Sequence, residues 1–153
     1  MALTVDSTLR GHSFVLGLTD AQLASLAALA TPVAFAENQM ILADREQSSA
    51  FYFVVAGSVA IELRTASYAV CVQALGAGQV FGWSALLNHQ DTLFQVRARE
   101  ETTALRIPGD DLKALCRREP VLGTELLQRT LQVVASRVRA TEERFAEMCG
   151  IKV

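Results

Sequence analysis

Long uninterrupted apolar runs are missing from this sequence. No window of its 153 residues approaches the roughly 20 apolar residues that a membrane-spanning helix needs. Met1 to Gly11 is mixed and polar, without the basic end and apolar stretch of a secretory signal. Cysteine is scarce: Cys71, Cys116 and Cys149 are odd in number and far apart, which suits neither a disulfide framework nor a zinc site. Histidine is scarcer, with only His12 in the N-terminal tail and His89 in a loop. A metal-binding β-roll enzyme needs clustered His and Glu ligands, and two distant histidines do not supply them. Cys71 and Cys116 have no sequence-near histidine to activate a thiolate, and read as small buried hydrophobes. Ser84 lacks the glycines of a nucleophile elbow. The expectation is therefore a non-enzyme with no cofactor and no metal. An excess of positive charge is also lacking. The net charge of -2 argues against a domain built to neutralise nucleic-acid phosphates. Together these absences predict a cytoplasmic protein with reduced thiols, no membrane association and no direct DNA binding.

What is present is ample apolar material, 51% of residues against 20% charged. That is enough for one compact domain spanning 1–153. Thr19 with Gln22 three residues on forms a capping-box pattern, and Leu23, Leu26, Ala27 and Ala30 follow at helical spacing, closing an N-terminal helical segment over 1–31. From Pro32 to Pro108 the pattern becomes short strands between turns: Met40 to Ala43, Phe51 to Ala56, Val59 to Leu63, Tyr68 to Leu75, Val80-Phe81, Phe94 to Ala98, and Thr102 to Ile107. Phe94, Val96 and Ala98 share one strand face, while Gln95, Arg97 and Arg99 share the other. Residues 109–150 read as helices, with Pro120 opening a long one that runs to Met148 and Gly150 closing it. The fold class is mainly β with flanking helices: a jelly-roll-like β-roll, or double-stranded β-helix, followed by a long C-terminal helix.

That last helix carries a seam of Leu127, Leu131, Val134, Val138, Thr141, Phe145 and Met148. Its steps alternate four and three, as in a coiled coil. A homodimer is expected, and the alternative is an amphipathic helix packed on its own roll. In the parallel register Arg137 falls at a g position and Glu142 at the following e position. The two could pair between chains, at about 0.5 kcal/mol for an exposed pair.

Two segments carry a family resemblance. Phe53-Val54-Val55-Ala56-Gly57-Ser58-Val59-Ala60-Ile61 resembles the central strand pair of cyclic-nucleotide-binding domains. Gly76-Ala77-Gly78-Gln79-Val80-Phe81-Gly82 is similar to the glycine-rich approach to their phosphate-binding segment. The family includes the catabolite activator protein effector domain, kinase regulatory subunits and gated channels, and the resemblance runs from about Leu18 to Met148. It implies a regulatory or signalling domain whose ligand moves the C-terminal helix. It also implies a pocket around Gly82, Trp83, Ser84 and Ala85, with Thr92, Leu93 and Phe94 across from them. This chain departs from the family at the charged positions. Trp83 stands where nucleotide-binding members carry the ribose-holding Glu. Aligning Val96-Arg97-Ala98 places Thr92 at the phosphate-binding Arg, Leu93 at the small polar residue and Phe94 at the Ala; a loop one residue longer or shorter puts Asp91 or Leu93 at the Arg position instead, and none of the three is cationic. A buried phosphate without a cation loses its charge-assisted hydrogen bonds, and an unpaired buried charge costs several kcal/mol. Binding of cAMP or cGMP in the usual mode is therefore not expected. Two readings of the pocket stay open: bulk has closed it, or it takes another small-molecule effector. The first would leave a dimerisation module with a partner protein. The chain ends soon after the long helix, with no helix-turn-helix following, so it reads as a free-standing sensor or as the effector part of a transcription regulator.

Overall fold

The computed structural model describes residues 4–88 and 91–153. His89, read above as a loop residue, lies outside them. Helix α1 (Val5–Arg10), a 3-10 turn (Ser13–Val15) and helix α2 (Asp20–Ala27) precede eight strands: β1 Thr31–Phe35, β2 Met40–Leu42, β3 Ala50–Ala56, β4 Ser58–Arg64, β5 Ala69–Gly76, β6 Val80–Phe81, β7 Phe94–Ala98 and β8 Thr102–Pro108. A second 3-10 turn, Trp83–Leu86, links β6 to β7, and helices α3 (Gly109–Arg118) and α4 (Pro120–Met148) complete the chain. The strands form two four-stranded antiparallel sheets, ordered β1-β8-β3-β6 and β2-β7-β4-β5. This is the mainly-β roll with flanking helices that the strand pattern predicts.

The roll is held by the alternation of β3. Tyr52 and Val54 face inward and meet Ile61, Leu75, Phe81 and Val96 of the neighbouring strands. Tyr52 stacks on Phe81 with ring centroids 4.7 Å apart. Phe51 and Phe53 face outward and would be stranded in water without a cover. Leu9, Val15, Leu23 and Leu26 of the N-terminal segment supply it, with Leu112, Leu115, Leu122 and Leu126 of the C-terminal helices. The helices at both ends of the chain thus close one apolar layer.

Local signals fix the rest. The Thr19–Gln22 capping box forms as the sequence implies, with the Gln22 amide donating to Thr19 Oγ1 at 3.2 Å and the Thr19 amide donating to Gln22 Oε1 at 2.9 Å. Gly57 lies at φ 88° between β3 and β4, where a side chain would strike the Glu101 carbonyl. Asp110 and Asp111 occupy the first turn of α3 but make no capping hydrogen bond, since the position before the helix is Pro108.

The N-terminal tail is more ordered than its polar sequence suggests. Thr4 caps α1, and α1 buries Leu9. His12, which the sequence places only in the N-terminal tail, is buried. It is 4% exposed, edge-on to Phe53 at 5.3 Å. Its Nδ1 accepts the Phe14 amide at 3.2 Å, so Nε2 carries the proton and donates to the Val54 carbonyl at 2.9 Å. Cys71 is likewise exposed rather than buried, because it lies on the outward face of an edge strand.

Burial holds the His12 imidazole below its ordinary pKa, against a smaller opposing effect of the Val54 and Gln79 carbonyls. Above about pH 6.5 the ring is neutral in both folded and unfolded chains and contributes no pH dependence. Below it the unfolded chain takes up a proton that the fold refuses, so stability falls until the depressed folded pKa is reached. Thermal melts from pH 7.5 to 5 are expected to fall more steeply for the wild type than for His12→Gln.

Candidate functional site

The chain turns sharply after β6. Gly82 adopts φ 83°, ψ 23°, the left-handed region, and a side chain there would overlap the Ala50 carbonyl and crowd the Ser48 hydroxyl. That turn swings Trp83–Leu86 across the mouth of the roll. Ser84 is 5% exposed, and its hydroxyl accepts the Ser48 amide at 3.0 Å. Gln47 Nε2 donates to the Ser84 and Leu87 carbonyls at 2.8 and 2.6 Å. These bonds tie the turn to the loop before β3, so the segment is fixed rather than draped.

Opposite it, Thr92 and Phe94 enter β7, and Phe94 pairs in register with Leu63 of β4. Gly82, Trp83, Ser84, Thr92 and Phe94 line one cavity, floored by Ile61 and Val96. Its volume is about 30 Å³, space for two waters or so. Two residues expected there sit elsewhere. Leu93 is 60% exposed, because strand alternation turns it away from the face that Phe94 presents. Ala85 is buried against Gly109 at the start of α3 and faces away from the cavity. Arg97, on the outer face of β7, is held by Glu62 Oε1 at 3.2 Å and the Asn38 carbonyl at 2.9 Å.

One wall of the cavity comes from α4. Arg137 is 6% exposed and lines the space beside Thr92 and Phe94. Its Nε donates to Gln73 Oε1 of β5 at 2.8 Å, and its guanidinium carbon lies 5.9 Å from the Phe94 ring centroid. It makes no ion pair with any described residue. Burial alone pushes its pKa down to about 10, so it stays charged at neutral pH. The interchain pair expected between Arg137 and Glu142 is thereby corrected: Arg137 points into its own roll while Glu142 is exposed. Arg137 extends the roll-facing stripe Leu126, Thr130, Val133, at the same four-three spacing as the outer seam. That second stripe is the sequence signal for the buried arginine, and the more apolar outer stripe masks it.

On its other side α4 leaves the seam uncovered. Leu127, Leu131, Val138, Phe145 and Met148 are 51–67% exposed, and Val134 is half-buried. Among the described residues, no three His, Cys, Asp or Glu side chains come together as a metal-ligand set. None of the described helices is long and apolar enough to cross a membrane.

Comparison with known proteins agrees with this fold. A stretch of 83 residues is 35% identical to a protein named as a potassium channel protein from Rhodopseudomonas palustris, covering 54% of this chain. The chain spans only 20% of that relative's length. A protein named as cyclic nucleotide-binding from Geobacter metallireducens GS-15 superposes with a TM-score of 0.75 at 23% identity, over 90% of this chain and 99% of its own. The regulatory subunit of a cAMP-independent protein kinase A from Trypanosoma brucei, as a triple mutant bound to cAMP in its A site, matches with a TM-score of 0.67 at 23% identity, over 82% of this chain and 45% of its own.

Gly82→Ala tests how far the turn depends on its left-handed conformation. The variant is expected to lose about 2 kcal/mol or more, from the backbone penalty and the overlap with the Ala50 carbonyl, as measured by urea unfolding.

The family model for the cyclic nucleotide-binding domain matches residues 32–119, and the chain belongs to that family.

Proposed function

We propose that this domain is a non-catalytic regulatory module that does not take cAMP or cGMP in the usual mode, and whose output is the position of α4 in a homodimer. The observation that carries the reading is the cavity of about 30 Å³ between Trp83, Phe94 and Arg137. Pockets that enclose a ligand of nucleotide size run to several hundred Å³. Thr92 and Trp83 offer neither of the charged groups that family members present to the phosphate and ribose. The Trypanosoma brucei subunit gives indirect support. It is named cAMP-independent, and its cAMP-bound form carries Glu-to-Ala, Thr-to-Arg and Val-to-Ala substitutions. Thr92 and Phe94 stand at the Arg and Ala positions of the family pattern in this chain.

The exposed seam of α4 supports a partner of the same kind. A second copy would bury Leu127, Leu131, Val138 and Phe145 against their own equivalents, each worth about 1.5–3 kcal/mol when fully covered. Direct DNA binding is not part of the reading, since the net charge is -2. The effector is a small molecule other than a cyclic nucleotide, and α4 carries its presence outward.

In thermal-shift and calorimetric titrations, cAMP and cGMP at micromolar concentration are expected to give no saturable stabilisation. The double substitution Thr92→Arg with Phe94→Ala is expected to bring cAMP affinity up at least tenfold. Saturable binding by the wild type would refute the reading of the pocket.

Analytical ultracentrifugation at micromolar concentration should show a dimer. Leu131→Asp with Val138→Asp should weaken it a hundredfold or more, since each change removes a few kcal/mol of apolar burial. A wild type that sediments only as monomer refutes the seam.

A further inference from the structure

We propose that the cavity between the Trp83 turn and β7 is a small-oxyanion site whose cation is Arg137 of α4. The ligand class is a phosphate or carboxylate group on a molecule of a few non-hydrogen atoms. The proposal rests on the pocket reading above and names the chemistry of its effector.

Arg137 is buried to 6% exposure, and its guanidinium is met by an amide oxygen and a ring face, with no ion pair among the described residues. Proteins retain a buried arginine where a carboxylate or phosphate completes it, because the planar fork matches such groups with two parallel hydrogen bonds. Nε is engaged by Gln73, which fixes the plane of the group. Ser84 and Thr92 also line the space; the Thr92 hydroxyl donates to the Phe94 carbonyl at 3.3 Å, and the Ser84 hydroxyl, which accepts the Ser48 amide, keeps its own proton to donate to an anion. Glu46 is the one carboxylate lining the cavity; it is exposed and screened by water. The cavity of about 30 Å³ takes one or two oxygens of an oxyanion in place of its waters and leaves no room for a base or ribose. The cation missing from the strand segment at Thr92 is supplied from the helix. An anion paired to it would pin the same turn of α4 that presents Val134 and Val138 to the seam.

The test compares the wild type with Arg137→Met and Arg137→Lys at constant ionic strength held with chloride. Inorganic phosphate and acetate are the probes, read by thermal shift and by calorimetric titration. Without either probe, Arg137→Met is expected to melt at or above the wild type, because an unpaired buried charge is replaced by an apolar chain of similar length. Phosphate or acetate is expected to raise the wild-type Tm saturably by several degrees, to raise Arg137→Lys by less, and to leave Arg137→Met flat. Equal responses in the wild type and Arg137→Met, or no saturable wild-type response to either probe, would overturn the proposal. Should Arg137→Met fail to fold, Arg137→Gln takes its place, with the same outcomes. A cAMP response in the wild type that disappears in Arg137→Met would refute the reading of the pocket as too small for a nucleotide, yet support the arginine as the anion's partner. A cAMP response that persists in Arg137→Met would refute both.

Discussion

Strand β3 is apolar on both faces, and most of the architecture answers to that. Its inward face needs the second sheet, and its outward face needs helices. A single sheet with a solvated side would leave Phe51 and Phe53 in water, at about 1.5–3 kcal/mol each. The N-terminal and C-terminal segments therefore meet over one layer, although more than 80 residues of sequence separate Leu26 from Leu112. Once α3 and the first half of α4 are fixed by that layer, the second half of α4 has to cross the rim of the roll. The position of Arg137 follows from this crossing.

The cavity then collects contributions from three places that sequence keeps apart. The Gly82 turn offers a hydroxyl and a tryptophan, the approach to β7 offers Thr92 and the strand's first residue Phe94, and the helix offers the one buried charge. The first two replace polar chemistry with bulk, and the third introduces a cation from a different direction. The uncharged residues come from the strand side and the buried cation from the helix, within a roll whose backbone has its glycine-defined turn.

Much of the fold was legible in the sequence because the signals were local. Gly57, Gly76, Gly78 and Gly82 punctuated the strands, Thr19 and Gln22 announced a helix, and Pro120 opened α4. α1 escaped because six residues with one buried leucine make no periodic pattern. His12 escaped with it, since a lone histidine says nothing about which carbonyl waits 42 residues away at Val54. Within the site, Gly82, Trp83, Ser84, Thr92 and Phe94 could be placed by alignment to a strand pattern. Ala85 and Leu93 could not, because facing depends on where alternation restarts after a turn. Arg137 belongs to a tertiary contact between α4 and β5, and the more apolar of two interleaved stripes masked it.

Gly123 packs so closely on the Cys116 backbone that a methyl group there would overlap it. This makes the α3–α4 junction a narrow fulcrum. From Gly123 to Met148 the helix extends about 37 Å at 1.5 Å per residue. Leverage then does the amplifying: a tilt of about 5° at the fulcrum carries the far end roughly 3 Å sideways. Arg137 sits a little past the midpoint of this arm, where the same tilt moves it by less than 2 Å or so. A displacement smaller than one hydrogen bond at the cavity thus becomes, at Phe145 and Met148, a shift of about half the 5–6 Å spacing between neighbouring side chains on a partner helix.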